Sequence, residues 1–246
     1  LAWLDISLIL RESYYWEPLL DETSGRMIEE ALQKGGVKIF YKSEVGEIDG
    51  GETAKGVILK DGSRIVCDMI VAGLGVSCPF DWIRQSGIAV NRGVVANEYL
   101  ETSALDVWTA GDAAEFNDLI LGESLQLGNW VNAQTQGRTA GLNMAGQKEP
   151  FRFVSFYTTQ GFGISIVFAG DVRPVPDRRI ITRGSKNSGS YGRIIIKDGE
   201  IVGATLINRT SELSSFSKLI EKDIKTAGLE SKLADPNFNL ETLVPE

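Results

Sequence analysis

Residues 106–115, Asp-Val-Trp-Thr-Ala-Gly-Asp-Ala-Ala-Glu, restrict the possible folds more than any other part of the chain. Residues 107–109 form a short run between polar and turn-forming residues, which predicts a buried strand. Gly111 is expected to end this strand, so that Asp112 stands at its carboxyl end. The carboxyl ends of parallel strands are where open α/β domains bind ligands. We therefore expect Asp112 to accept hydrogen bonds from a ligand hydroxyl, beside small residues such as Ala113 that let a ligand approach the backbone.

The next segment, residues 126–146, is rich in alanine, glutamine and glycine, and its small side chains predict a closely packed helix. Together the two segments resemble the second flavin motif of the two-dinucleotide-domain flavoprotein reductases, the pyridine nucleotide–disulfide oxidoreductase superfamily. Residues 130–137, Trp-Val-Asn-Ala-Gln-Thr-Gln-Gly, are most similar to reductases of the ferredoxin and rubredoxin type. The resemblance extends from about residue 5 to about residue 146.

This resemblance implies that FAD is the cofactor and that NAD(P)H reduces it. Asp112 would contact the ribityl chain, and the positive end of the following helix would face the flavin ring. Trp130 corresponds to a family position close to the flavin, but a tryptophan in the helix core explains it equally well. Gly128 stands where related reductases often carry glutamate. The cofactor-binding residues expected in this region are Gly111, Asp112, Ala113, Asn129 and Trp130.

The N-terminal part has the pattern of a nicotinamide-binding unit. Residues 1–4 suggest a helix end, residues 6–10 and 37–41 suggest strands, and residues 21–35 suggest a helix between them, so the strands should pair in parallel. Three short strands, residues 44–48, 55–59 and 64–67, follow as a meander with Asp-Gly turns. An apolar strand at residues 69–72 should lead to Gly75, which in the resembled family lies near the cofactor.

In a complete nicotinamide-binding unit, the residue after the second strand usually decides between NAD and NADP, because an acid binds the free ribose hydroxyl of NAD and a base binds the phosphate of NADP. The strand at residues 6–10 of this chain would correspond to that second strand. Leu10 occupies the position expected for the acid, and Arg11 and Glu12 come next. Both charged residues are therefore candidates for binding the nicotinamide cofactor. The choice between NAD and NADP stays open.

After residue 146 the pattern changes to strands at residues 151–157, 163–168, 191–196 and 201–206, followed by an amphipathic helix at 213–225. This α+β pattern resembles the C-terminal interface domain of the same reductases. Phe162 would either approach the flavin or pack in the core or the hairpin, and packing is favoured. We expect three domains: the end of an NAD(P)-binding domain (1–78), the end of an FAD-binding domain (79–148) and an α+β domain (149–246). The fold class is thus α/β, with partial Rossmann-like units, a β-meander and a C-terminal α+β domain.

Composition excludes several function classes. The formal net charge of −8 argues against binding to nucleic acid. The chain has no histidine, which excludes histidine triads and histidine metal ligands, so we expect no metal site. No apolar run approaches the roughly 20 residues of a membrane helix. The unpaired Cys67 and Cys78 suit a reducing cytoplasm. One cluster of basic residues is expected to be a solvated loop face rather than a docking patch for an acidic partner: Arg173, Arg178, Arg179, Arg183 and Lys186.

No G-x-G-x-x-G turn, which would bind a cofactor pyrophosphate, occurs in the chain. We therefore expect the C-terminal part of a longer FAD-dependent NAD(P)H oxidoreductase, which passes electrons to an unknown acceptor and could form a homodimer. No side chain is expected to act as an acid, base or nucleophile, because the flavin carries the chemistry. The alternatives are a non-catalytic flavoprotein-like module for oligomerisation or regulation, and an unrelated α/β binding protein.

Overall fold

The fold begins with a strand–helix–strand unit. In a computed structural model, which describes residues 4–245, strand β1 (Ser7–Ile9) and strand β2 (Lys38–Phe40) pair in parallel on either side of helix α1 (Glu22–Lys34). Helix α1 begins where the carboxylate of Asp21 accepts a hydrogen bond from the backbone N–H of Ser24. The predicted parallel unit is confirmed. The helix end expected at residues 1–4 falls almost entirely outside the described residues.

A three-stranded antiparallel meander follows: β3 (Val45–Gly50), β4 (Ala54–Leu59) and β5 (Arg64–Val66). This prediction is also confirmed. The strand expected at residues 69–72 is wrong, because the backbone there is irregular and pairs with no strand of the described chain. The apolar side chains of this stretch lie in solvent, with Val71 88% and Leu74 93% exposed. A strand needs hydrogen-bonding neighbours, and the two-stranded β1–β2 sheet does not extend to this segment.

The central region contains helix α2 (Asp81–Gln85), strands β6 (Val94–Ala96), β7 (Ala114–Asp118) and β8 (Glu123–Leu125), and helix α3 (Trp130–Met144). Strand β7 pairs in parallel with β6 and antiparallel with β8. The strand predicted at residues 107–109 is wrong: only an isolated bridge joins Trp108 to Glu101. The chain turns at Asp106, where φ is +59°, and the strand forms later, as β7. Asp112 therefore precedes a strand instead of ending one.

The C-terminal region is a five-stranded antiparallel sheet in the order β11-β12-β13-β10-β9. Its strands are β9 (Phe156–Gly161), β10 (Ile164–Gly170), β11 (Arg179–Ser185), β12 (Ser190–Lys197) and β13 (Glu200–Ile207). Helices α4 (Leu213–Glu221) and α5 (Glu230–Ala234) pack on it. Phe216 and Leu219 of α4 are fully buried against Val167, Ile194 and Leu206 of the sheet. The predicted α+β arrangement is confirmed, although β9 starts at Phe156 instead of 151 and β11 is not predicted.

The N-terminal unit is packed against this C-terminal sheet. The ring of Trp16 meets that of Phe168 edge to face, with 5.4 Å between centroids. The hydroxyl of Tyr191 donates a hydrogen bond of 2.9 Å to Asp21. Phe162, at the β9–β10 turn, lies so close to Gly35 that a side chain at position 35 would collide with its ring. Phe162 thus packs against the end of α1, which favours a packing role over an approach to the flavin. Among the helices of residues 4–245, none has the length and apolar character needed to cross a membrane.

The predicted solvated face is wrong for part of the basic cluster: Arg179 and Lys186 are exposed, with 53% and 41% of their side chains in solvent, whereas Arg178 and Arg183 are buried. The side chains of Arg178 and Arg183 are only 3% and 1% exposed. Arg183, on β11, donates to both carboxylate oxygens of Glu212, at 3.1 and 3.2 Å. It also donates to backbone carbonyls at and beyond the end of α5, those of Leu233, Asp235 and Phe238. Since arginine is a flexible polar residue, sequence alone did not reveal that its charge is buried and satisfied.

Replacing Arg183 should lower the free energy of unfolding far more than replacing Arg179, which lies on the same strand. In Arg183→Leu, the carboxylate of Glu212, whose side chain is 16% exposed, and the carbonyls of the C-terminal segment lose a buried donor, and we expect a loss of about 3–5 kcal/mol. In Arg179→Leu, a side chain that is 53% exposed is lost, with an expected cost below about 1 kcal/mol. Urea unfolding measures both values. Equal losses in the two variants would contradict a structural role for the buried arginine.

Candidate functional site

A tight turn at Gly111 brings the predicted site residues to helix α3. Residues 111–113 form one turn of 3₁₀-helix, in which Gly111 has φ +75°, a conformation that favours glycine. Its N–H donates a hydrogen bond of 2.7 Å to Oε1 of Gln136. A Cβ at this position would lie 3.2 Å from the side chain of Ala133, so any other residue would push the turn away from the helix. The pairing of the two sequence segments is therefore a real contact.

Asp112 points its side chain into solvent from this turn. The residue is exposed, and its carboxylate has no hydrogen-bond partner within residues 4–245. Its position is nevertheless fixed, because its backbone carbonyl accepts a hydrogen bond of 2.8 Å from Nε2 of Gln126. Gly128 lies beside the carboxylate: a Cβ there would be 3.4 Å from Oδ2 of Asp112. The absence of a side chain at 128 leaves that side of the carboxylate open to a ligand.

Helix α3 begins next to this carboxylate. Asn129 caps it, since its side-chain oxygen accepts a hydrogen bond of 2.8 Å from the N–H of Asn132. This cap explains why the helix starts at Trp130 and not at 126, as the sequence suggested. The N–H groups of Trp130 and Val131 find no acceptor in the described part of the chain. Free N–H groups and the helix dipole together favour an electron-rich group at this end.

Trp130 is 77% exposed. It is therefore not a tryptophan of the helix core, and that alternative is wrong. A large exposed aromatic face next to an open helix end is available to stack on a planar ligand. Its role toward a cofactor remains a prediction.

Two polar side-chain atoms of α3 are buried without a hydrogen-bond partner among the described residues. They are Oδ1 of Asn132 and Nε2 of Gln136. Such atoms are uncommon in native proteins and need a partner or an explanation. Both atoms are enclosed, so the groups that a ligand with hydroxyl groups and an electron-rich ring could contact are the exposed carboxylate of Asp112 and the free N–H groups of Trp130 and Val131. The residues present thus fit two parts of FAD, the ribityl chain and the flavin ring.

Glu115 is an organising residue that the sequence analysis treated only as the end of a motif. It is 2% exposed on β7. Its carboxylate accepts hydrogen bonds from the N–H groups of Arg92 and Gly93 at 2.9 and 3.0 Å, and from the side chain of Asn91 at 3.0 Å. Burial alone would raise the pKa of Glu115, but the hydrogen bonds from Gly93, Asn91 and Arg92 together lower it below its usual value. The sequence signal that could have indicated this role of Glu115 was an acidic residue three positions after Asp112, in a segment otherwise expected to be buried.

The expected nicotinamide residues make no hydrogen bond to this junction within the described chain. Arg11 and Glu12 follow β1 and form an ion pair of 3.3 Å; the Arg11 side chain is 73% exposed and that of Glu12 is 31% exposed. Gly75 has φ +84° within the exposed segment after the meander. The structure brings together the predicted flavin residues, whereas no hydrogen bond among residues 4–245 joins the predicted nicotinamide residues to them.

Comparison with known families assigns most of the chain. The family model described as pyridine nucleotide-disulphide oxidoreductase matches residues 4–137. The model described as rubredoxin NAD⁺ reductase C-terminal domain matches residues 158–224. The first match covers more than half of the chain.

Similar proteins share the sequence over most of this chain. A nitrite reductase [NAD(P)H] of Bacillus subtilis is 28% identical over 223 residues, which are 89% of this chain and 27% of that protein. An NADH-rubredoxin oxidoreductase of Clostridium acetobutylicum is 28% identical over 217 residues, 88% of this chain and 51% of that protein. The chain thus spans from about a quarter to about half of the length of these relatives.

The fold is shared with a solved reductase. The crystal structure of a ferredoxin reductase from Rhodopseudomonas palustris superposes with a TM-score of 0.85, over 98% of this chain and 59% of that one. The sequence identity is 20%, so this similarity shows the fold alone. It confirms the predicted α/β class with Rossmann-like elements.

Replacing Glu115 by glutamine should destabilise the protein by about 3 kcal/mol at pH 7, because buried donors lose a charged acceptor. The folded-state pKa of Glu115 is lowered, so its stabilisation is complete above the unfolded pKa and is lost as pH falls through the folded pKa. The difference between Glu115→Gln and the unaltered protein should therefore shrink below about pH 4. Urea unfolding at several pH values measures it. The exposed Glu52→Gln is the control, and a pH-independent difference would contradict the assignment.

Proposed function

Because the chain belongs to the pyridine nucleotide-disulphide oxidoreductase family, we propose that it forms part of an FAD-dependent NAD(P)H oxidoreductase. When bound, FAD would accept a hydride from the nicotinamide and release electrons to a second acceptor. The observation that carries the proposal is the open carboxylate of Asp112 beside the free N–H groups at the start of α3. Members of this family use FAD and NAD(P)H.

Each residue of the junction has a distinct proposed task. Asp112 would accept hydrogen bonds from ribityl hydroxyls, and Gly111 and Ala113 would let the cofactor chain lie against the backbone. Asn129 would hold the start of α3 in place, so that its N–H groups stabilise electron density on the reduced flavin ring. The exposed face of Trp130 would cover the ring and exclude water. None of these side chains would exchange a proton in the reaction.

For the nicotinamide we propose a site formed by Gly75, Arg11 and Glu12. The support is their position after the strands of the N-terminal unit. The exposed guanidinium of Arg11 would suit a phosphate, whereas Glu12 would suit a ribose hydroxyl. Their ion pair leaves both cofactors as candidates.

We also propose that the chain is the C-terminal part of a longer reductase. Its three domains would be the end of an NAD(P)-binding domain (1–78), the end of an FAD-binding domain (79–148) and an α+β domain (149–246). The relatives are about two to four times longer than the matched region. Moreover, α3 exposes a stripe of residues with heptad spacing that would suit a packed helix: Trp130, Gln134, Gly137, Gly141 and Met144. The exposed apolar residues 69–76 would likewise suit a neighbouring strand. The cysteines are free, and we place the protein in the reducing cytoplasm.

The acceptor would be a small redox protein. This proposal rests on the relatives' names, an NADH-rubredoxin oxidoreductase and a ferredoxin reductase. A homodimer through residues 151–246 is also proposed, because this region resembles the C-terminal interface domain of the reductases and contains the match to the rubredoxin NAD⁺ reductase C-terminal domain. The second candidate function is a non-catalytic module for oligomerisation or regulation. It is favoured by one observation: no glycine-rich pyrophosphate turn occurs in the chain.

The absorption spectrum of the purified chain, mixed with FAD, separates the two functions. A protein-bound flavin band that is bleached by NADH or NADPH would support the reductase and identify the nicotinamide. Absence of bound flavin, combined with tight self-association through residues 151–246, would support the module.

Replacing Asp112 by asparagine should weaken FAD binding at least tenfold, because hydrogen bonds to a charged acceptor contribute about 1.5–3 kcal/mol. A fluorescence titration of the flavin measures the dissociation constant. Asp106→Asn removes the same charge from an exposed position in the preceding turn, and we expect it to leave binding unchanged. Equal affinities for the Asp112 variant and the unaltered chain would rule out the assigned role of this carboxylate.

A further inference from the structure

The buried face of helix α3 carries amide side chains at successive turns. Asn132 and Gln136 are fully buried, and Asn143 is nearly so. Asparagine and glutamine are mostly exposed in proteins, because every polar atom of a buried amide needs a partner. Asn143 meets this need, since its nitrogen donates to the carbonyl of Glu149 and its oxygen accepts from the N–H of the same residue. Asn132 and Gln136 meet it only in part.

Each of these two amides has one polar atom bonded to a segment outside the helix. Oε1 of Gln136 accepts a hydrogen bond of 2.7 Å from the N–H of Gly111. Nδ2 of Asn132 donates a hydrogen bond of 3.1 Å to the carbonyl of Leu127. A backbone N–H can only donate and a carbonyl can only accept, so the two partners determine which end of each amide is oxygen and which is nitrogen.

The two atoms left over are complementary. Nε2 of Gln136 is a donor and Oδ1 of Asn132 is an acceptor, and both are buried without a partner in the described part of the chain. Residues four positions apart lie on the same face of an α-helix, with roughly 5–6 Å between their Cβ atoms, and a glutamine and an asparagine at this spacing can share a hydrogen bond. Leaving both atoms unpaired in the interior would cost free energy, because water does not reach them.

We propose that Nε2 of Gln136 donates a hydrogen bond to Oδ1 of Asn132, after a small rotation of the two amide groups. This bond completes a relay of three hydrogen bonds: Gly111 donates to Gln136, Gln136 donates to Asn132, and Asn132 donates to the carbonyl of Leu127. All three bonds have the same donor-to-acceptor direction, so each one polarises and strengthens the next. The relay connects the turn that carries Asp112 to the segment that leads into α3.

The role of the relay in binding rests on the proposed function. On the exposed side, the same two segments are already joined by Nε2 of Gln126, which donates 2.8 Å to the carbonyl of Asp112. With the relay on the buried side, the turn and the segment are held along both edges. Asn132 and Gln136 are therefore positioning residues. They fix the carboxylate of Asp112 relative to the free N–H groups at the start of α3 without touching the flavin.

Two variants at position 132 test the central bond in the ¹⁵N-labelled chain without FAD. Asn132→Asp and Asn132→Leu both lose the donor to Leu127, but only aspartate keeps an oxygen in the place of Oδ1. A hydrogen bond deshields the donated proton, so the side-chain NH₂ signal of Gln136 should stay downfield in Asn132→Asp and move upfield in Asn132→Leu. The same Gln136 signal in both variants would overturn the relay.

A crystal structure of the unaltered chain provides a measurement that needs no variant. Nε2 of Gln136 and Oδ1 of Asn132 within about 3.2 Å of each other would support the bond. A longer separation, or a water between the two atoms, would refute it.

Gln136→Glu tests the positioning role, because it keeps an acceptor for Gly111 and replaces only the donor toward Asn132. We expect the dissociation constant of FAD, measured by flavin fluorescence, to rise about fivefold, since two buried oxygens then oppose each other. The rise should be largest at pH 9 and shrink toward pH 6, where the introduced carboxyl group is protonated and can donate to Oδ1 again. Gln134→Glu adds the same charge on the exposed face of α3, nearer to its start, and should have the smaller effect.

The two glutamate variants also define what would refute the positioning role. Equal effects on FAD binding would mean that the added charge acts through space, and the positioning role would be wrong. If the unaltered chain binds no FAD, the proposed function fails and the positioning role fails with it. The relay itself is then still decided by the NMR comparison at position 132, which uses no flavin.

Discussion

The contact between the turn at Gly111 and helix α3 is the constraint on which the candidate site depends. The N–H of Gly111 is held by Gln136, and the missing side chain at 111 allows the turn to lie against Ala133. Only this close approach places the carboxylate of Asp112 beside Gly128 and the open start of the helix. Gly111 and the buried side-chain amide of Gln136 therefore determine where the groups proposed to recognise a flavin lie.

Two other groups hold this junction from opposite sides. The carboxylate of Glu115 fastens the loop before β6 to β7, directly after the turn. Asn129 caps α3 and also donates to Ser155, whose backbone carbonyl accepts a hydrogen bond from the N–H of Gly170 at the end of β10. The helix start is thus attached to the C-terminal sheet. An open ligand-binding edge can keep its shape without a ligand only if its supports are satisfied elsewhere, and these buried hydrogen bonds provide that support.

Local signals in the sequence predicted local structure well. The β1–α1–β2 unit, the meander and the helix pattern of α4 follow from periodicity, caps and Asp-Gly turns, which act over a few residues. Long-range pairing explains the errors. Residues 107–109 have a strand-like composition, but β6 pairs with β7 instead. Strand β11 was not found because its arginines suggested solvent, whereas Glu212 and a distant segment satisfy Arg183. The site segments were found by their motif, but Glu115 and Ser155 were not, since their partners lie far away in sequence.

The C-terminal sheet is hydrogen-bonded both to the N-terminal unit and, through Ser155, to the start of α3. The two oxygens of Asp21 have separate partners, the N–H that begins α1 and the hydroxyl of Tyr191 on β12. Burial, followed by the charge of Asp21, raises the pKa of Tyr191 to about 12, so this hydroxyl remains a donor throughout the physiological range. Helix α1, and with it the segment that carries Arg11 and Glu12, is therefore oriented by the same sheet that anchors α3 through Ser155. The supports of the two proposed cofactor sites therefore share one rigid sheet, and a rigid support reduces the cost of holding two bound groups in one arrangement.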